Sequence, residues 1–230
     1  MRIVTQYLTD LFNLFFPNLC LVCNSHLVNQ EELICTKCLY NLPKTGYHQE
    51  IDNPVSQLFW GRTKIEYAKA YFTFSKGSRY QDLMHKFKYH GSKEIGYVLG
   101  KAFGNHIRES VFNEVDVIVP VPLHKSKLKK RGYNQSEWIG MGLSEALQVP
   151  LDIISFIRLV ATETQTRKSR FERWKNVENI FSITNKEALT GKHILLVDDV
   201  VTTGSTLEAC ANVLLDLDNT KVSIATLAVA

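Results

Sequence analysis

The sequence predicts an α/β protein, a mainly parallel sheet with helices on both faces, preceded by a small module organised by four cysteines. Three observations carry this expectation. His193 to Val197 and Lys221 to Val229 are largely apolar runs, as expected of strands buried on both faces. Helical periodicity fills the stretches between such runs, which is the alternation of a parallel sheet with crossover helices. Cys20, Cys23, Cys35 and Cys38 form two C-x2-C pairs near the amino terminus. With 230 residues, 45% of them apolar, the chain can bury a full core and is long enough for one domain and a small appendage.

Four segments follow from the pattern: a short amphipathic helix over 1–17, a cysteine module over 18–42, a connector over 43–62 and a globular body over 63–230. In the first, Tyr7, Leu11, Leu14 and Phe15 recur at helical spacing, which suits a helix docked on the body or, alternatively, one lying on a membrane surface. Asp10 interrupts this stretch and no small-residue cleavage site follows, which argues against a secretory signal and leaves the cytoplasm as the expected location. No run approaches the roughly 18 uninterrupted apolar residues of a membrane-spanning helix. The connector is expected because Pro43, Gly46, Pro54 and Gly61 punctuate a polar stretch.

Two C-x2-C knuckles let four thiolates meet one tetrahedral Zn²⁺, and the loop between them holds too few apolar residues to fold unaided. Four cysteine ligands leave no open coordination position, so this metal is structural. Disulfides are the competing reading, disfavoured where thiols stay reduced. The fifth cysteine, Cys210, lies in an apolar helix and reads as core.

In the body, Tyr67 to Phe74 reads as a strand, and Arg79 to Tyr89 and Lys93 to Ser110 as helices. From Val115 the order becomes strand (VDVIVPVP), basic loop, then a helix over Gln135 to Leu147; the two apolar strands flank a helix from Ser205 to about Leu217. Charge is uneven. From Pro120 to Lys175, eleven basic residues face five acidic ones, a surplus of six; with the whole chain at +4, the remainder carries −2. Such a run is either a solvated face or a surface for polyphosphate or nucleic acid.

The chemistry concentrates in VDDVVTTGST, Val197 to Thr206. Asp198 and Asp199 leave a buried strand together, and adjacent carboxylates repel unless hydroxyl donors or a cation lie between them, which suits a sugar diol or Mg²⁺. Thr202, Thr203, Gly204, Ser205 and Thr206 then offer amides and hydroxyls at a helix amino terminus, where the dipole favours an anion. Gly204 lets the backbone turn with positive φ and approach phosphate oxygens. Diol-binding acids beside a monophosphate nest describe a ribose 5-phosphate. A solvated acidic loop followed by an ordinary helix cap is the plainer alternative.

ILLVDDVVTTGST resembles the phosphoribosyl pyrophosphate (PRPP) motif of type I phosphoribosyltransferases. The ordered set of LFNLFFP, four cysteines, VPVPLH, RGYNQ, QTRKSRFERWKNV and that motif resembles the ComF competence family over nearly the whole chain. The resemblance implies that Asp198 and Asp199 contact the ribose hydroxyls and that Thr202 to Thr206 hold the 5′-phosphate, with Val200 and Val201 completing the PRPP-binding stretch. By position it also puts pyrophosphate and its Mg²⁺ at Leu123, His124 and Lys125, with Arg131 a further contact. It implies a mobile flap over 158–176, where Lys168 departs from the usual apolar residue; Tyr133 likewise stands where phenylalanine is usual. A cytoplasmic DNA-uptake factor that binds single strands and works with a competence helicase is the role so implied. Lys127, Lys129 and Lys130 are the candidate DNA-phosphate contacts, and Tyr133, Trp138 and Trp174 the candidate stacking rings. An active transferase, with Mg²⁺ and cations stabilising the departing pyrophosphate, and a regulator that senses PRPP are the rival classes.

Overall fold

The computed structural model describes residues 17–28, 31–47, 50–73, 75–89, 91–159 and 180–230. The helix expected over 1–17 lies, but for Pro17, outside these residues, and so does the flap beyond Leu159, with Lys168 and Trp174. In chain order the elements are helices α1 (Thr36–Tyr40) and α2 (Pro54–Gln57), strand β1 (Ala68–Thr73), helices α3 (Arg79–Tyr89) and α4 (Glu94–Ile107), strand β2 (Val117–Pro120), helices α5 (Lys125–Arg131) and α6 (Gln135–Leu147), strands β3 (Phe156–Arg158), β4 (Phe181–Ile183) and β5 (His193–Val201), helix α7 (Ser205–Leu215) and strand β6 (Lys221–Val229).

The main sheet has the order β1-β6-β5-β2, and all three pairings are parallel. Alternation along each strand sends successive side chains to opposite faces. In β5, Leu195 and Val197 join the core formed by α3, α4, α6 and the cysteine module. Ile194 and Leu196 join the other, with α2, α7 and the antiparallel β3–β4 pair. The expected parallel sheet covered on both faces is therefore present.

Helices α4 and α6 touch backbone to backbone, because glycine occupies the crossing. A Cβ on Gly100 would stand 2.3 Å from the Ile139 carbonyl oxygen, and one on Gly142 would stand 2.2 Å from that of Tyr97. This contact seats the start of α6, Asn134 to Ser136, over the carboxyl half of β5. Asn134 fixes the entry, its Oδ1 accepting from the Ser136 amide at 3.2 Å and its Nδ2 donating to the Val121 carbonyl at 3.0 Å.

Three local expectations change. The basic loop is a helix, α5, capped by His124 at its start and by Gly132 in the left-handed region (φ 84) at its end. Strand β5 continues through both acids to Val201 instead of stopping at Val197. Much of the connector is built into the body: the Thr73 amide donates to the Pro43 carbonyl at 2.9 Å, Asn53 caps α2, and Val55 and Phe59 are fully buried.

Candidate functional site

The sulfur atoms of Cys20, Cys23, Cys35 and Cys38 all lie within 4.8 Å of one another. All five cysteines are free thiols, and the Cys23 to Cys35 sulfur distance is 3.7 Å. A tetrahedral Zn²⁺ with Zn–S bonds of about 2.3 Å spaces its sulfurs about 3.8 Å apart, whereas a disulfide needs about 2 Å. The four thiols therefore fit one metal ion. Hydrogen bonds from Ser25 lower the Cys23 thiol to about 6, while burial pushes Cys35 and Cys38 up. A bound divalent cation would offset that burial cost and favour the thiolates.

At the carboxyl half of β5, Asp198 is in register with Thr226 of β6, and the two acids diverge because neighbouring strand residues face opposite ways. Asp198 Oδ1 accepts the Ser136 hydroxyl at 2.9 Å and the Asp199 amide at 2.8 Å. Asp199 Oδ2 lies 3.0 Å from Lys88 Nζ, an ion pair brought from α3. Burial first, then the charge of Asp199, raises Asp198 to about 7; the Asp199 amide, Ser136 and Lys88 pull the other way. Near neutral pH the pair thus sheds part of its repulsion by keeping a proton on the more buried member. The hydroxyl of Thr226 and Nε2 of Gln135 are buried and without hydrogen-bond partners among the described residues.

Beyond the acids the chain exposes Thr202, Thr203, Ser205 and Thr206 and buries Gly204, whose φ of 74 is left-handed. No side chain caps α7, so its first amides remain available to an anion. The turn is braced from below and behind. A Cβ on Gly204 would come within 3.0 Å of the Phe59 ring. Arg62 Nη1 donates to the carbonyls of Leu58 at 2.8 Å and Thr203 at 2.9 Å, and its other terminal nitrogen pairs with Glu208. Asp198 and residues 200–207 line one open cleft. Asp199 is not part of that lining.

The structure separates the remaining sequence candidates. Leu123, His124, Lys125 and Arg131 do not line the cleft of the turn. His124 is occupied in capping α5, its Nδ1 accepting the Ser126 amide at 3.2 Å. Arg131 donates to Gln135 Oε1 at 3.0 Å and lies over the Tyr89 ring at 5.7 Å. Lys125, Lys127, Lys129 and Lys130 are exposed, on a helix that buries no residue. Although Lys127 is exposed, partial desolvation by neighbouring atoms lowers it, with the charges of Arg158 and Arg131 adding to this; burial lowers Arg158, against the pull of Cys210 and Asp198. Lys127, Arg131 and Arg158 therefore form one group of interacting positive charges, and Arg158 also senses the charge of Asp198. Tyr133 is core, its hydroxyl bonded to the Phe87 carbonyl, and Trp138 carries Lys93 over its ring at 4.7 Å.

Ser136, Lys88, Arg62 and Phe59 are the site residues that the sequence did not reveal. Ser136 adjoins the RGYNQ motif, a signal that could have found it. The other three arrive from distant segments with no local mark.

A parallel sheet with helices on both faces, and a strand-to-helix turn set beside an acid pair, define a phosphoribosyltransferase-like protein. Accordingly, residues 134–229 match the family model of the phosphoribosyl transferase domain. The chain is 31% identical over 204 residues to DNA utilization protein YhgH of Escherichia coli K12, covering 86% of this chain and 84% of that one. It is 28% identical over 221 residues to competence protein ComFC of Bacillus subtilis 168, covering 86% and 89%. Among solved structures, a crystal structure of adenine phosphoribosyltransferase matches with a TM-score of 0.40 and 20% identity, over 65% of this chain and 76% of that one. The chain belongs to the ComF competence family, with a type I phosphoribosyltransferase fold.

Proposed function

We propose that this chain binds PRPP, or another ribose 5-phosphate, with Mg²⁺ in the cleft at the end of β5. The observation that carries the reading is that Asp198 and the turn 202–206 line one cleft. Asp198 and Asp199 accept the ribose hydroxyls through the carboxylate oxygens that Ser136 and Lys88 do not engage, and those two contacts stay in place. Thr202 to Thr206 hold the 5′-phosphate, and Lys127, Arg131 and Arg158 supply positive charge for the pyrophosphate. Mg²⁺ takes oxygen ligands and is commonly held by one or two carboxylates together with substrate phosphates, so it arrives largely on the ligand. Calorimetry with Mg²⁺ and PRPP tests this: saturable binding is expected, and its absence in folded protein ends the reading.

We further propose that the cysteine cluster holds a structural Zn²⁺ and that the protein serves DNA uptake on the cytoplasmic side. The names of the relatives support that role, and the family resemblance supplies a competence helicase as partner. No helix among the described residues is long and apolar enough to cross a membrane. Helix α5, with all its lysines exposed, supports contact with single-stranded DNA phosphates. Replacing Lys127, Lys129 and Lys130 should then weaken binding and flatten its dependence on salt.

The alternative is an active transferase that moves phosphoribose to a nucleobase or another acceptor. The same group of cations favours it, since positive charge would stabilise departing pyrophosphate. Pyrophosphate release that depends on one acceptor across a panel of bases would establish turnover.

A further inference from the structure

Helix α3 touches both the cysteine module and the acid pair. At its start the Tyr80 hydroxyl donates to the Cys38 carbonyl at 2.9 Å. In its last turn Lys86 Nζ donates to the Leu21 carbonyl at 3.0 Å. Those two acceptors belong to different knuckles, one in the Cys20–Cys23 pair and one in the Cys35–Cys38 pair. On the same helix Leu83, Met84 and Phe87 are buried in the same core as Cys20, Cys35 and Cys38. Two residues beyond Lys86, Lys88 reaches Asp199 at 3.0 Å, with only 14% of the Asp199 side chain exposed. Tyr133 grips the Phe87 carbonyl on the far side, so this last turn is held at three consecutive residues.

We infer that the cysteine module works for the sugar-phosphate site: by gripping α3 through one carbonyl of each knuckle, it seats Lys88 against Asp199 and fixes the acid pair. Lys88 is a positioning residue supplied from outside the matched 134–229 segment. The metal sets the spacing of the two knuckles, and that spacing sets both anchor points. Loss of metal lets the knuckles part, slackens α3 and frees the end of β5. By linkage, a ligand that tightens the acid pair in turn slows metal loss. The inference rests on the sugar-phosphate reading for its functional meaning, whereas the mechanical link stands on the contacts alone.

Amide hydrogen exchange followed by mass spectrometry tests the link without any sugar phosphate. In full-length metal-loaded protein, removing the metal should speed exchange in 79–89 and in 198–206 together. Lys88→Met should speed 198–206 by roughly tenfold, the effect of losing one charge-assisted hydrogen bond, while 20–38 stays protected. Lys88→Arg should restore protection. Because the stripped protein can unfold as a whole, Tyr80→Phe with Lys86→Met, which leaves all four cysteines in place, supplies a second arm: 198–206 should loosen although metal analysis shows the ion retained. The inference is overturned if 198–206 exchanges at the wild-type rate in Lys88→Met or in the double variant. Failure of PRPP to bind would remove the sugar-phosphate reading and leave this result unaffected.

Discussion

Replacing Gly204 with alanine should damage the site through two separable effects. Gly204 sits at φ 74, and a side chain there costs about 1–2 kcal/mol because Cβ crowds the carbonyl oxygen. The new Cβ would also stand 3.0 and 3.1 Å from two atoms of the Phe59 ring, and Phe59 is fully buried, so the ring would have to shift against its own packing. Overpacking of this kind costs about another 1 kcal/mol. Urea unfolding should therefore show a loss of about 2–3 kcal/mol at unchanged slope. In a Phe59→Leu background the ring contact is gone, and the same substitution should cost only about 1–2 kcal/mol. Displacing the turn amides should also weaken PRPP binding by about tenfold or more, the loss of one hydrogen bond to a charged group. Equal costs in the two backgrounds would refute the placement of Phe59 beneath the turn, and an undiminished affinity would refute the role of the turn.

Asp198 stands at about 7 in the folded chain, against an ordinary 3.8, so between those values the folded protein holds a proton that the unfolded chain has released. Stability should accordingly fall as pH rises through that window, and Asp198→Asn should flatten the slope in urea melts at several pH values. Gly142→Ala would place a Cβ 2.2 Å from the Tyr97 oxygen and 2.5 Å from the Lys101 nitrogen, both backbone atoms. Forcing α4 and α6 apart should cost about 3 kcal/mol or more, read from the unfolding midpoint. Cys20→Ser should abolish bound metal by elemental analysis and lower the melting temperature, since Cys20 is fully buried in the core shared with α3.

The apolar runs in β5 and β6 made the sheet legible, because burial on both faces leaves a plain pattern. The end of β5 was not, since Asp198 and Asp199 break the apolar run while ladder hydrogen bonds, which ignore side chains, carry pairing on to Val201. Helix α5, KSKLKKR, offers no apolar face to read; lysine propensity and the His124 and Gly132 caps make it. Phe59 lay hidden in a stretch punctuated by proline and glycine, where tertiary packing outweighed local turn signals. The site was half legible. VDDVVTTGST announced both acid pair and turn, but strand alternation sets the two acids on different partners, and neither Ser136 nor Lys88 is near them in sequence.

Calorimetric titration of metal-loaded protein with PRPP and Mg²⁺ tests the central claim most directly, alongside the Asp198→Asn, Asp199→Asn double variant. Saturable binding by the parent, weakened by at least about tenfold in the variant, is expected from the loss of two charge-assisted contacts. A folded parent that ignores both PRPP and ribose 5-phosphate, or a variant that binds as tightly as the parent, would contradict it.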